Sequence, residues 1–258
     1  MRNESAAVPT LRETSAAGPV PLYELGEWRQ RYGVIAGITG RGEGPHGFDL
    51  GLWSAAPIGE TMSRWRAFRG AVSGSDAMVL GHQVHGVEVM ALDSGVGWIQ
   101  VEGIDGWTTT TRGIFLTVTV ADCIPIYLTV PGRAVALLHA GWRGTAGGIL
   151  HRGVSRLAGA TGMPPREMVM HCGVGICGAC YEVGREVMEG CGLSADGPGP
   201  FHLDLRQHLS AEARKLGIGT ITESDWCSAH DRDRFYSHRR SGGADGRMVA
   251  YVGMPRPH

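Results

Sequence analysis

Three short apolar runs follow one another between residues 114 and 138, and they constrain the fold more than any other feature. They are Ile114–Val120, Ile124–Leu128 and Ala134–Leu138, with a turn at Pro131-Gly132 between the last two. Runs of this length, rich in aliphatic and β-branched residues and bounded by turn residues, are typical of buried β-strands. The sequence therefore predicts buried β-strands in this stretch.

Two reactive side chains lie at the ends of these strands. Cys123 follows the first run and His139 follows the third. Thiolate and imidazole are favoured ligands of zinc and copper. A small buried cysteine and a hydrogen-bonded core histidine would explain the same pair equally well. Upstream, His82 and His85 lie in a loop between two further strand candidates and add a third possible ligand.

Composition narrows the class of protein. The 258 residues are 43% hydrophobic and 19% charged, which is enough apolar material for a sizeable core. A formal net charge of -1 without a basic run argues against a protein that grips nucleic acid. No apolar stretch approaches the roughly 20 residues of a membrane span, and no signal peptide is recognisable. We therefore expect a cytoplasmic protein that binds neither nucleic acid nor membranes, with its cysteines as thiols.

Residues 1–21 are rich in Ala, Pro, Ser and Thr and show no hydrophobic period. We interpret them as a mobile N-terminal tail. No convincing linker divides the remainder, so residues 22–258 are predicted to form a single domain. Strand and helix candidates alternate along it, which agrees with an α+β fold, although periodicity alone also permits a doubly wound sheet.

The segment Gly141-Trp142-Arg143-Gly144 is a candidate for binding phosphate. It leads into a predicted helix over residues 145–158, whose free backbone N–H groups and neighbouring Arg143 would suit an anion. A glycine-containing turn in which Trp142 simply packs explains the segment equally well.

Two other arginine-bearing segments are weaker candidates. Arg41 lies in a glycine-rich loop that could hold an anion, although a surface turn explains the loop taken alone. Arg239 and Arg240 follow aromatic residues and could contact phosphate or a base. The alternative for this pair is a solvated basic turn.

Cys177 and Cys180 form a CxxC pair, a spacing that serves redox chemistry or zinc binding. No second CxxC completes a four-cysteine site, and the flanking residues do not resemble the start of a redox helix. We favour a structural role, and the sequence assigns no specific role to Cys172, Cys177 or Cys180.

Eight short motifs, taken in order, resemble a single family. They are Gln83–Gly86, Asp105-Gly106, Ala121–Pro125, His139–Gly144, Cys180–Val183, Leu203–Leu205, Phe235–Arg240 and Gly246–Met248. Together they resemble the YfiH/YlmD-type family. Its members carry the older label of multicopper polyphenol oxidases or laccase-domain proteins and are now regarded as purine nucleoside phosphorylases. The ADCxP and HAGWRG pieces are the most specific.

The resemblance implies a catalytic zinc ion held by His85, Cys123 and His139. Three protein ligands leave one tetrahedral position open, as a catalytic zinc requires. Copper is a possible alternative to zinc. A laccase, however, needs many histidines at several copper centres, and few of the 11 histidines here cluster in sequence. The substrate and phosphate would meet four arginines, Arg41, Arg143, Arg239 and Arg240.

The resemblance also implies a fold and an activity. The fold is one α+β domain with mixed β-sheets flanked by helices. The activity is zinc-dependent phosphorolysis of adenosine, inosine, guanosine and S-methyl-5'-thioadenosine, together with deamination of adenosine. The alternatives are a copper-dependent polyphenol oxidase, an editing factor for cell-wall precursors and a non-catalytic binding module stabilised by metal. Purine nucleosides and phosphate are the expected partners, and a monomer or weak dimer is the expected state.

Overall fold

The computed structural model describes residues 7–44, 47–54 and 56–257. Within those ranges the chain forms fifteen β-strands and seven α-helices. The strands are β1 Thr14–Ser15, β2 Leu22–Glu24, β3 Ile35–Thr39, β4 Ala77–His82, β5 Val89–Ala91, β6 Gly97–Glu102, β7 Gly106–Thr109, β8 Ile114–Val120, β9 Ile124–Val130, β10 Ala134–Ala140, β11 Val169–Cys172, β12 Glu182–Val183, β13 Phe201–His202, β14 Thr220–Glu223 and β15 Met248–Gly253. The helices are α1 Gly26–Tyr32, α2 Ile58–Ala71, α3 Trp142–Ala146, α4 Ile149–Thr161, α5 Arg185–Gly190, α6 Leu205–Lys215 and α7 His238–Ser241.

Two large mixed sheets make up the centre of the fold. The first has the order β1-β2-β3-β15-β8-β4-β6, antiparallel from β1 to β8 and parallel from β8 to β6. The second has the order β14-β11-β9-β10-β7-β5, with antiparallel pairs in the middle and a parallel pair at each end. This confirms the predicted α+β class, and the central antiparallel pairs rule out a doubly wound sheet.

Alternation along β10 shows why the two sheets face each other. One set of its side chains packs with the helices on the outer face of the second sheet, namely Ala134, Ala136, Leu138 and Ala140. The other set, Val135 and Leu137, packs in a cluster that includes Leu116 and Val118 of β8 in the first sheet. Successive residues of a strand point to opposite faces, so His139 belongs to the side that faces the first sheet.

Helices close the two outer faces. On the first sheet, Trp65 and Phe68 of α2 pack in a fully buried cluster with Phe115 and Tyr251. On the second sheet, α4 and α6 contribute the apolar side chains that cover β9 and β10. Burying each large apolar side chain contributes about 1.5–3 kcal/mol to the stability of the folded state, so the packing of these helices stabilises both sheets. None of the helices in the described ranges has the length and apolar character needed to cross a bilayer.

The prediction of a mobile tail over residues 1–21 is wrong where the structure describes that segment, residues 7–21. Glu13 is completely buried, and its carboxylate meets Nε2 of His171 at 3.1 Å and accepts a hydrogen bond from Ser224 Oγ at 2.6 Å. The next two residues form β1 and pair with β2. Local composition could not show this, because the partners of Glu13 lie far along the chain. Residues 1–6 lie outside the described residues.

Candidate metal centre and its cavity

The three predicted ligands come together where the two sheets meet. His85 lies in the loop after β4 of the first sheet, and Cys123 lies in the short link from β8 to β9, where the chain crosses between sheets. His139 lies near the end of β10, opposite Pro125 of β9. Each residue offers one ligand atom, and these atoms lie within 4.8 Å of one another.

A buried carboxylate holds the His85 loop in place. Asp105 is completely buried and accepts backbone N–H hydrogen bonds from Val84 at 3.1 Å, His85 at 3.0 Å and Gly86 at 2.8 Å. His85 itself has a positive φ of 57°. A residue with a side chain adopts this conformation at an energetic cost, so the surrounding hydrogen bonds must hold it there.

The same carboxylate orients His139. Nδ1 of His139 lies 2.9 Å from Oδ1 of Asp105. This contact places the Nδ1 proton against the carboxylate and leaves the Nε2 lone pair available for an ion. Burial alone would raise the pKa of the Asp105 carboxyl. The hydrogen bond and charge of His139, with the N–H groups of Gly86 and Val84, outweigh burial and lower that pKa.

The charges of Cys123 and His139 stabilise each other. Burial acts to raise the pKa of the Cys123 thiol, but the neighbouring rings of His139 and His85 outweigh it and lower this pKa to about 6. Burial acts to lower the pKa of His139, whereas Cys123 and Asp105 raise it to about 9. The site therefore favours a thiolate at neutral pH, which is the form of cysteine that binds metal.

These residues fit a metal ion. One thiolate and two imidazoles are a donor set that zinc commonly takes, with a carboxylate behind one histidine. Gly141 also permits the close approach, because a Cβ at that position would lie 3.0 Å from Cys123 Sγ and 3.1 Å from His85 Cδ2. A larger residue at position 141 would therefore press on both ligands.

A cavity of about 650 Å³ opens beside the three ligands. Its walls combine aromatic side chains, arginines and polar groups from several loops. They include Trp53, His82, Gln83, Trp142, Arg143, Tyr181, His238, Arg239, Asp245 and Arg247. Its volume lies in the range of small-molecule sites, and the mix of flat aromatic and cationic groups suits a ligand with a ring system and an anionic partner.

The structure brings two of the four predicted arginines to this cavity. The guanidinium of Arg143 lies 4.4 Å above the ring of Trp142. The helix predicted over residues 145–158 is instead α3 and α4, separated at Gly147-Gly148, where Gly148 has a φ of 81°. Arg143 thus lies in the first turn of the short helix α3, and not in a loop before it.

Arg239 lines the cavity beside Tyr181. Its backbone N–H donates to Asp122 Oδ2 at 2.6 Å, and its side chain donates to the carbonyl of Glu182 at 2.6 Å. The guanidinium lies 5.1 Å from the centre of the Tyr181 ring. Asp122 has a positive φ of 88°, so Arg239 also helps to hold the strained residue next to Cys123.

Arg41 and Arg240 are not among the residues that line the cavity, and their contact with substrate stays a prediction. Arg240 donates to the carbonyls of Ser228, Ala229 and Phe235 and to Asp245 Oδ2 at 2.9 Å. Arg41 pairs with the other oxygen of Asp245 at 3.5 Å. Both terminal nitrogens of Arg240 are hydrogen-bonded within the protein. The two arginines contact different oxygens of Asp245 and so position this residue, which lies in the cavity wall.

Sequence analysis missed several residues that shape the site. Asp105 was named only as part of the Asp105-Gly106 motif, and its role depends on partners about 20 and 34 positions away. Gln83 was read only as part of a motif, yet its amide exchanges hydrogen bonds with the backbone of Thr119 in β8 and so ties the His85 loop to the first sheet. The signal for Asp105 was its place among the eight motifs.

His85 should matter far more than His82, although both lie near the end of β4. The ring of His82 contacts Glu102 Oε2 at 2.5 Å and stacks on Trp53, with ring centres 4.0 Å apart. It is not among the ligand atoms that cluster with Cys123. We expect His85→Ala to lose the ion of this centre and His82→Ala to retain it with less than a roughly tenfold loss of rate. Elemental analysis of both variants tests this, and equal metal loss would refute the assignment.

Comparison with known proteins agrees with this geometry. The family model described as multi-copper polyphenol oxidoreductase laccase matches residues 43–255. A Deinococcus radiodurans protein named purine nucleoside phosphorylase is 37% identical over 78% of each chain. A protein named adenosine deaminase RL5, from an unknown prokaryotic organism, is 33% identical over 69% of this chain and 75% of its own.

The solved structure of YlmD from Geobacillus stearothermophilus has the same fold. It superposes with a TM-score of 0.82 at 26% identity, covering 95% of this chain and all of that one. The sequence of a YlmD from this species, named purine nucleoside phosphorylase, is 30% identical over 86% of this chain and 90% of its own. The match over most of the chain confirms the resemblance found in the motifs. The chain belongs to the YfiH/YlmD-type family, the family described as multi-copper polyphenol oxidoreductase laccase.

Proposed function

We propose that this protein is a zinc-dependent purine nucleoside phosphorylase that also deaminates adenosine. The substrates would be adenosine, inosine, guanosine and S-methyl-5'-thioadenosine. The observation that carries the proposal is the cluster of His85, Cys123 and His139 in the lining of a cavity with aromatic and cationic side chains. The names of the relatives support both activities, since two are named purine nucleoside phosphorylase and one adenosine deaminase.

Zinc would be held by His85, Cys123 and His139 and would supply a Lewis acid that lowers the pKa of water. Asp105 contributes by fixing the His139 ring with its Nε2 toward the centre. Its three backbone hydrogen bonds keep the His85 loop in the required conformation. The protein residues thus arrange the centre before any substrate enters, which lowers the cost of reorganisation during the reaction.

The cavity walls would bind the two substrates of phosphorolysis, the phosphate and the purine nucleoside. Arg143 and Arg239 supply guanidinium groups, which form paired hydrogen bonds to phosphate oxygens. Trp53, Trp142 and Tyr181 supply aromatic faces for a purine. Holding phosphate beside the nucleoside converts an encounter of two molecules into a reaction within one complex.

A copper-dependent polyphenol oxidase is the second candidate, and the description of the family model favours it. The geometry favours it less. Among the described residues, the only groups able to share an ion through three or more ligands are the His85 centre and a cysteine-rich group elsewhere, and neither has three histidines. Stoichiometric copper with a visible absorption band in the purified protein would favour the oxidase.

Product analysis tests the proposal directly. The purified protein is incubated with adenosine, with and without phosphate, and the products are separated by chromatography. We expect adenine and ribose 1-phosphate only when phosphate is present, and inosine in both conditions. If zinc-loaded protein forms neither product, the proposal is contradicted. Oxidation of a phenol by the copper-loaded protein would favour the second candidate instead.

Arg143→Lys should weaken the use of phosphate and leave zinc content unchanged. Lysine keeps the charge but loses the planar guanidinium that contacts two oxygens at once. We expect the KM for phosphate in phosphorolysis to rise on the order of tenfold, as loss of one charged hydrogen bond predicts. Deamination needs no phosphate and should change little.

The matched control is Arg156→Lys, an exposed arginine on α4 that does not line this cavity. Both reactions are measured for each variant across a phosphate titration. An equal fall in both rates of Arg143→Lys at saturating phosphate would show a structural role for Arg143.

A further inference from the structure

A second group of metal-ligand side chains lies outside the cavity. It consists of Cys177, Cys180, Cys227 and His230, whose ligand atoms all lie within 4.8 Å of one another. Sγ of Cys180 is 3.1 Å from His230 Nε2, and Sγ of Cys177 is 3.6 Å from His230 Nδ1. In sequence the four residues form a CxxC pair and a CxxH pair, a spacing used by structural zinc sites.

Backbone contacts arrange the four side chains without any bond between sulfurs. In the first loop, Cys180 N–H donates to the carbonyl of Cys177 at 3.0 Å, which closes a tight turn. In the second, Cys227 N–H donates to Asp231 Oδ2 at 2.9 Å. Between the loops, Cys177 N–H points at Cys227 Sγ at 3.3 Å, a contact that stabilises a thiolate. All six cysteines are free thiols.

Ordinary core packing does not explain this group. Cys172 and Cys191 show what a packed thiol looks like in this protein, since both are buried in the apolar cluster on the outer face of the second sheet. Cys177 and Cys180 are instead partly exposed and His230 is exposed. Only Cys227 of the four is buried, so the hydrophobic effect does not account for the other three, but together the four form a closed set of three thiols and one imidazole.

We propose that Cys177, Cys180, Cys227 and His230 bind a structural zinc ion, separate from the ion at His85, Cys123 and His139. Four protein ligands leave no position open for water or substrate, so this ion would serve the fold and not the reaction. The CxxC pair at Cys177 and Cys180 lacks two ligands of a four-ligand site, and Cys227 and His230 supply them.

The proposed ion would brace one wall of the cavity. Ile176 and Tyr181 flank the first loop and line the cavity. Ser228 lies inside the second loop, between Cys227 and His230, and its hydroxyl donates to Oδ1 of Asp122 at 2.6 Å, next to Cys123. Zinc linking the two loops would therefore fix the surroundings of Asp122, and its loss would loosen that wall without removing a catalytic ligand.

Zinc content and its ligand atoms test the proposal. Protein purified under reducing conditions and supplied with zinc should contain about two ions per chain, and Cys177→Ser or His230→Ala about one. Cys123→Ala should also retain about one, and X-ray absorption should show that this ion has about three sulfur ligands and one nitrogen. His230→Cys should keep about two, because four thiolates also bind zinc.

Matched controls separate ligand loss from general damage. Cys191→Ala removes a buried thiol and His151→Ala an exposed histidine on α4, and both should retain the full zinc content. The absorption measurement on Cys123→Ala leaves the four proposed ligands untouched, so misfolding of a loop variant cannot decide the result. Full zinc content in Cys177→Ser, or a remaining ion in Cys123→Ala without sulfur ligands, would overturn the proposal.

Discussion

Cys123→Ala is expected to abolish both phosphorolysis and deamination while the protein remains folded. Cys123 is the only thiolate among the three proposed ligands, and its lowered pKa keeps it ready to bind an ion at neutral pH. Substitutions behind the ligands typically cost about 10–100-fold, so removal of a ligand itself should cost more than about 100-fold. Initial rates, zinc content and circular dichroism of the purified variant provide the measurement.

The control for Cys123→Ala is Cys191→Ala, which removes another buried thiol that is not among the proposed ligands. It should keep the rate and the zinc content of the parent protein. A Cys123→Ala protein that keeps the ion of this centre and half its rate would show that the centre is misassigned.

Asp105→Ala is expected to have the largest effect on stability. The carboxylate is completely buried and accepts three backbone hydrogen bonds as well as the His139 ring. Alanine would leave these donors without an acceptor, and each buried unsatisfied group costs about 1–3 kcal/mol. We expect the free energy of unfolding to fall by about 3–5 kcal/mol, measured by urea denaturation at neutral pH.

Two further variants make the Asp105 experiment specific. Asp93→Ala removes an exposed carboxylate and should change stability by less than about 0.5 kcal/mol. Asp105→Asn keeps the shape and one acceptor oxygen, so it should fold better than Asp105→Ala yet bind zinc about 10–100-fold more weakly. A loss in Asp105→Ala no larger than that of Asp93→Ala would contradict the role assigned to this carboxylate.

The sequence predicted the central strands and the three candidate ligands well, for reasons that are local. The runs at residues 114–138 carry their own pattern of burial, and β8, β9 and β10 occupy them. The motifs around His85, Cys123 and His139 were sufficient to nominate them as a group, and the structure brings them together.

What the sequence did not reveal depends on contacts between distant segments. Glu13 meets His171 across 158 positions, so a polar, proline-containing segment that looks mobile by composition is held against the fold. The two arginines that follow one another at 239 and 240 have different environments, because only the side chain of the first reaches the cavity. Neighbouring residues in a chain can point apart, and only the fold decides which one meets a ligand.

The position of the metal centre between the sheets has a consequence for the whole molecule. His85 lies in the loop that leads from β4 of the first sheet to β5 of the second, Cys123 lies in the crossover from β8 to β9, and His139 lies near the end of β10 in the second sheet. An ion held by all three would be a cross-link, and separating the sheets would require releasing it. A metal bound only by the folded state adds stability that rises with the logarithm of its concentration relative to Kd, about 2.7 kcal/mol at a hundredfold excess. Melting curves of Cys177→Ser protein with zinc or with copper would therefore rank the two metals at this centre without any substrate.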